Sequence, residues 1–195
     1  MKFAQDTLYV TDLDGTLLDG NACIPLEALR MLNEMLDAGL PFTVATGRSW
    51  SSAQKVIGGL RLRMPMVAYN GAFVVDPVTG TDIERCLLSR EQMERVMEIY
   101  AKHGIAPMVF GMIDGRQKVS WVKSTENSGI RRYARSRAGD PRLNPVETVE
   151  ELYRGDVFYF SALGSREELQ PAEGDLRALE FAHLNFSADT YDTSE

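Results

Sequence analysis

The sequence predicts an α/β protein: a short parallel sheet flanked by helices, followed by a separate α+β module. Three observations carry this reading. Residues 7–71 alternate strand, helix, strand, helix, strand, and the strands are short and apolar, as in a parallel sheet covered on both faces. Each of those strands runs into a polar segment containing glycine: DLDGT at 12–16, TGR at 46–48 and NG at 70–71. After Gly71 the rhythm changes to hairpins and helices. A chain of 195 residues suffices for one fair-sized domain or two small ones.

The elements follow in order. Thr7–Thr11 (TLYVT) is β-branched and aromatic and predicts a strand. Leu26, Leu29, Leu32, Met35 and Leu36 fall at helical spacing within residues 24–38, with Pro25 suited to the first turn and Gly39 to the stop. Residues 41–45 predict a second strand, Ser49 caps a helix running to about Leu60, and Met66–Tyr69 predicts a third strand. Residues 72–75 and 83–88 flank PVTG as a hairpin. Ser89 with Gln92 three residues on marks the capping box of a helix to His103. Residues 107–112 and 117–122 predict two strands joined by a Gly/Asp turn, and residues 126–145, with Arg131, Arg132, Arg135 and Arg137 close together, a solvated helix and a loop. Residues 157–163 predict a strong strand. Residues 165–179 predict a helix interrupted, or only beginning properly, near Pro171, and residues 184–188 a last strand.

Composition excludes several classes of function. The hydrophobic fraction is 44% and the charged fraction 25%, which is ordinary for a globular protein and argues against wholesale disorder. A net charge of −7 disfavours a nucleic-acid partner. No stretch approaches the ~18 apolar residues of a membrane span, and the N-terminus reads as neither signal peptide nor anchor. Cys23 and Cys86 form no CxxC pair and are expected to be reduced, partly buried thiols, so a cytoplasmic protein is expected. There is no GxGxxG after a strand, no GxxxxGK[ST], no HExxH and no serine nucleophile elbow.

The chemistry points to the strand ends. Ligands of open α/β sheets bind beyond the carboxyl ends of the strands. If the strands are parallel, Asp12, Asp14, Thr46, Gly47, Arg48, Asn70 and Gly71 converge on one edge. One carboxylate can attack phosphorus and a second can protonate the leaving oxygen and activate water. Phosphoryl charge beside two acids calls for a hard cation such as Mg²⁺. Thr46 and the Gly47 amide can hold phosphoryl oxygens, and Arg48 can fork a phosphate or carboxylate. Each feature has a plainer alternative: a DxD pair also serves as a turn or cap, and Arg48 also fits a surface or salt-bridge residue.

DLDGTLLD at 12–19, ATGR at 45–48 and YNGA at 69–72 resemble the first two motifs and the following strand of the haloacid dehalogenase (HAD) superfamily, most closely its Cof-like type IIB phosphatases. The resemblance implies a HAD-like Rossmannoid core, here partial, in residues 1–83, with an inserted α+β type IIB cap over 84–190 that closes on the phosphate and selects the leaving group. It implies Asp12 as nucleophile and Mg²⁺ ligand, and Asp14 as general acid/base that also gives the metal a backbone carbonyl. It implies Thr46 as the phosphate-binding hydroxyl, and Gly47, Arg48, Asn70 and Gly71 as lining of the phosphate and substrate site.

The family then returns to its core with a lysine and a late GDxxxD/N acidic loop. No residue of this sequence matches either, and residues 191–195 stand where that return would begin. Loss of one such electrostatic contact commonly costs ~10²-fold in rate. The expected function is Mg²⁺-dependent hydrolysis of a small, sugar-like phosphate ester through an aspartyl-phosphate. The alternatives are a non-catalytic phosphate-ester binding or regulatory protein, an inactive fragment of a longer phosphatase and, less favoured, a phosphomutase. The expected partner is a small phosphorylated metabolite, with no nucleic acid and no membrane. An exposed core edge is also expected, through which copies of the chain could associate.

Overall fold

The computed structural model describes Phe3 and residues 6–186. The chain divides into two compact units, Met1–Cys86 and Leu87–Glu195.

In the first unit, β1 (Tyr9–Thr11) pairs in parallel with β2 (Phe42–Val44), placing Thr11 opposite Val44. A parallel bridge from Ala45 to Val67 carries the alignment to β3 (Met66–Ala68). The chain then folds back as antiparallel β4 (Phe73–Val75) and β5 (Asp82–Arg85). Helix α1 (Leu26–Asp37) connects β1 to β2, and α2 (Trp50–Ile57) connects β2 to β3. Ser49 caps α2 by accepting from the Ser52 amide. Buried Asn33 on α1 donates to the Gly59 carbonyl and accepts from the Arg61 amide, both at 2.9 Å, tying α1 to the loop after α2. The core of this unit is built from Leu13, Val44, Ala53, Ile57, Met66, Phe73 and Val75. Among the described residues β1 pairs only with β2, and Leu8, Tyr9 and Val10 stay about half exposed at 49, 47 and 54%.

The second unit is a four-stranded sheet in the order β8-β7-β6-β9. Strands β6 (Pro107–Ile113) and β7 (Arg116–Val122) form a hairpin. Its turn residues, Asp114 and Gly115, have φ of 49° and 72°, the left-handed pair that a tight hairpin turn needs. Helix α3 (Arg90–Lys102) starts with the expected Ser89–Gln92 capping box and buries Met93, Val96, Met97 and Tyr100. Met93 and Met97 pack on Val109, Val122, Val146 and Val157, while Val96 and Tyr100 meet Leu179 and Phe160. Burial pushes the Tyr100 hydroxyl up to about 12. At the end of α3, Lys102 and His103 both engage Asp175, at 2.7 and 2.8 Å, and hold its carboxyl below the usual range.

Four expectations need correction. Residues 126–145 contain α4 (Ser128–Ser136) and then the start of β8 (Leu143–Val146), which pairs in parallel with β7. The polar sequence LNPV hid that edge strand, because Pro145 sits in it and only Val146 is buried. Helix α5 (Arg166–Arg177) runs unbroken through Pro171. A Ser165–Glu168 capping box fixes its start, Ala172 is buried, and Pro171 faces solvent, where its missing N–H is tolerated. Residues 184–186 are not a strand, and the rest of that expected element, like 191–195, lies outside the described residues. Cys23 and Cys86 are both exposed, because Cys23 lies in the loop before α1 and Cys86 follows β5, whose last three residues are exposed. Among the described residues no helix is long and apolar enough to cross a membrane.

Two glycines of the second unit should respond oppositely to alanine. At Gly155, φ is +76° and an added Cβ would lie 2.2 Å from the Met112 carbonyl oxygen. Gly155→Ala is expected to cost roughly 2 kcal/mol or more. Gly174 has open space around it in α5, so Gly174→Ala should stabilise by about 0.5–1 kcal/mol. Urea unfolding followed by circular dichroism reads both.

Candidate functional site

Because β1, β2 and β3 run in one direction, their carboxyl ends lie along one edge. Asp12 follows β1 directly. It is exposed, and its Oδ1 accepts from the Leu13 amide at 2.7 Å. The chain then makes a wide turn over Leu13–Leu17, closed by the Leu18 amide donating to the Leu13 carbonyl at 2.9 Å. Leu13 anchors the turn in the core with no exposure, and Gly15 takes φ +74°. Between these anchors Asp14 is extended, with φ −74° and ψ 123°. Downstream, Asp19 accepts from the Cys23 and Asn21 amides, which hold its carboxyl below the usual range and close the loop.

Thr46, Gly47 and Arg48 leave β2. The Ala45 amide donates to the Thr11 carbonyl at 2.9 Å, so the two strand ends stay side by side. Thr46 is buried at 4% exposure. Its Oγ1 accepts from the Arg48 amide at 3.2 Å, leaving the hydroxyl proton to be donated. Arg48 reaches back to β1's loop. Its Nε donates to Asp14 Oδ2 at 2.7 Å and its Nη2 to Asp14 Oδ1 at 2.6 Å, a two-pronged ion pair across 34 positions of sequence. The arginine side chain is 11% exposed and the aspartate 29%. The salt-bridge alternative for Arg48 is thus what the structure contains, and its partner is the second acid of the same site.

The third strand end is bound to the second. The Tyr69 amide donates to the Arg48 carbonyl at 3.0 Å and the Asn70 amide to the Thr46 carbonyl at 3.1 Å. Tyr69, Asn70 and Gly71 have successive left-handed φ of 51°, 53° and 104°. For Asn and Gly this is accessible; for Tyr it is strained, and it is held by burial of the ring against Phe73, centroids 5.6 Å apart. A Cβ on Gly47 would lie 2.9 Å from Asn70 Oδ1, so glycine lets these segments approach.

The structure therefore brings Asp14, Thr46, Gly47, Arg48 and Asn70 into one bonded cluster, with Asp12 and Gly71 next to it in the chain. The sequence reading missed the strained Tyr69. An aromatic directly before Asn-Gly at a strand end was the available signal.

A metal is implied only in part. Among the described residues no group of three or more His, Cys, Asp or Glu side chains is placed to share an ion. The donors offered are oxygen atoms: the exposed Asp12 carboxylate and the Asp14 carbonyl. That set fits a hard divalent cation bound through one or two protein ligands and otherwise by water and phosphate. Two lysines of the second unit, Lys118 and Lys123, are engaged in local contacts. Lys118 donates to the Pro141 carbonyl at 2.8 Å, and Lys123 pairs with Glu147.

A family model described as haloacid dehalogenase-like hydrolase matches residues 9–190. Phosphoglycolate phosphatase of Methanopyrus kandleri is 28% identical over 150 residues, which are 76% of this chain and 56% of that protein. The chain spans about half the length of the curated relatives it matches. Among solved structures, a haloacid dehalogenase-like hydrolase from Bacteroides thetaiotaomicron has a TM-score of 0.69 at 18% identity, covering 94% of this chain and 68% of that one. A HAD subclass IIB sugar phosphatase has a TM-score of 0.62 at 19% identity, covering 87% and 63%. Both likenesses are of fold.

The left-handed position 70 can be tested. Asn70→Val is expected to cost roughly 1–2 kcal/mol more than Asn70→Gly, because a β-branched side chain cannot take that φ without strain. Thermal or urea unfolding distinguishes the two.

Proposed function

The chain belongs to the haloacid dehalogenase-like hydrolases, and on that premise we propose that it is a phosphomonoester hydrolase acting on a small, sugar-like phosphate. The observation that carries the reading is the convergence of Asp12, Asp14, Thr46 and Arg48 on one sheet edge.

In this reading an Asp12 carboxylate oxygen attacks phosphorus as the bond from phosphorus to the ester oxygen breaks. The departing alkoxide takes a proton from Asp14. Water, giving its proton back to Asp14, then attacks the aspartyl-phosphate and frees Asp12 and phosphate. Exposure of Asp12 at the strand end suits the attacking role. The Thr46 hydroxyl and the Gly47 amide are assigned to the phosphoryl oxygens, with Asn70 and Gly71 lining the site. A bound Mg²⁺ would offset the phosphoryl charge beside the two acids; Asp12 and the Asp14 carbonyl are the residues assigned to hold it. Residues 84–190 are assigned to the cap of the family, where selection of the leaving group is expected to reside.

The second reading, a phosphate-ester binding protein without turnover, is favoured by one observation: no third acidic ligand joins Asp12 and Asp14 among the described residues.

Phosphate release from a sugar-phosphate panel and a chromogenic ester, with Mg²⁺ or a chelator, tests the proposal. Turnover that needs Mg²⁺ and falls by ~10³-fold or more in Asp12→Asn is the expected outcome. Turnover indifferent to Asp12 would refute the mechanism, and ligand binding without release in folded protein would favour the second reading.

A further inference from the structure

The Arg48–Asp14 fork sits awkwardly with the roles assigned to both residues. An ionised carboxylate only accepts hydrogen bonds, and here both Asp14 oxygens accept from the guanidinium. In this arrangement both Asp14 oxygens are occupied, and the two prongs of Arg48 turned toward them cannot also clasp a substrate. The backbone of Arg48 is fixed, because its amide donates to Thr46 and its carbonyl accepts from Tyr69. Any rearrangement is therefore confined to the long arginine side chain and to the carboxylate between the Leu13 anchor and Gly15.

We propose that Arg48 is exchanged between two anions: it holds the Asp14 carboxylate while the site is empty, and the oxygens of an incoming phosphate ester take it over and thereby release Asp14. The inference rests on the phosphate-ester reading of the site. The chemistry favours such an exchange, since a phosphoryl group offers the same planar fork at least as much negative charge as a carboxylate. The burial pattern agrees: the guanidinium is the more enclosed partner, at 11% exposure against 29%, so it is the carboxylate that has room to leave. Arg48 is then a positioning residue for Asp14 in the empty state and a ligand contact in the loaded one. Binding of the anion and availability of the acid become a single event.

The test is binding, not turnover, so it stays readable if this chain proves inactive. Titration calorimetry of inorganic phosphate onto the full chain, with Mg²⁺ and with chelator, compares wild type, Asp14→Asn, Arg48→Lys and the double variant. Removing the Asp14 charge should tighten phosphate in every background through simple electrostatics. Freeing the fork should add to this only where arginine is present. The expected outcome is tightening on the order of tenfold for Asp14→Asn alone and about twofold or less in the Arg48→Lys background. Equal tightening in both backgrounds overturns the exchange, and so does phosphate that binds none of the variants. A second measurement guards against a variant that misfolds. In unmutated protein the Arg48 Nε–H NMR signal should shift as phosphate binds, and a signal unmoved at saturation overturns the proposal as well. Loss of turnover with the coupling intact would instead count against the hydrolase reading alone.

Discussion

Parallel pairing of β1 with β2, passed on to β3 through the bridge between Ala45 and Val67, sends three strand ends to one edge of the sheet. The rest of the candidate site depends on that direction. Were β1 reversed, Asp12 and Asp14 would emerge at the far edge, away from Thr46 and Arg48. The alignment is secured by short connections. The Ala45 amide reaches the Thr11 carbonyl, and the Tyr69 and Asn70 amides reach Arg48 and Thr46. Each bond satisfies a backbone group that would otherwise be orphaned where regular pairing stops. The hydrogen bonds that end the strands are therefore also the ones that fix the functional side chains.

Charge organises what the backbone assembles. Two aspartates one residue apart on a chain of net charge −7 make a poor place for an anion. Arg48 cancels one of them at close range, and because the guanidinium is largely shielded from water its interaction is correspondingly strong. The neighbouring geometry serves this pair. Gly15 lets the chain turn beside Asp14, Gly47 admits Asn70, and buried Tyr69 is held in a strained conformation that presents its amide to the Arg48 carbonyl.

Much of this was legible in the sequence. The three strand ends were visible because their residues are chemically unlike the apolar runs they terminate, and the caps at Ser49 and Ser89 are local signals satisfied within three residues. What escaped was set by tertiary contact. LNPV at 143–146 carries a proline and a polar face, and pairs only because β7 offers it an edge. Pro171 looked like a break, yet the helix around it is held by its cap and by Ala172. The partner of Arg48 was open for the same reason: nothing in the residues between Asp14 and Arg48 says that one will reach the other. The strain at Tyr69 likewise depends on burial against Phe73.

The strand that delivers Asp12 is also the one with the least to hold it. Among the described residues β1 has three positions, one bonded flank and side chains half open to water. Its amides are thus drawn from the end of the stability range where local opening is cheap, while β2 and β3 sit deeper in the same unit. The carboxylate at its tip should share that mobility, fraying from the edge without the core melting. Assembly of the site then depends on a three-residue edge as well as on the global stability of the unit. Anything that covers that edge would raise the working fraction of the site without touching a single one of its side chains.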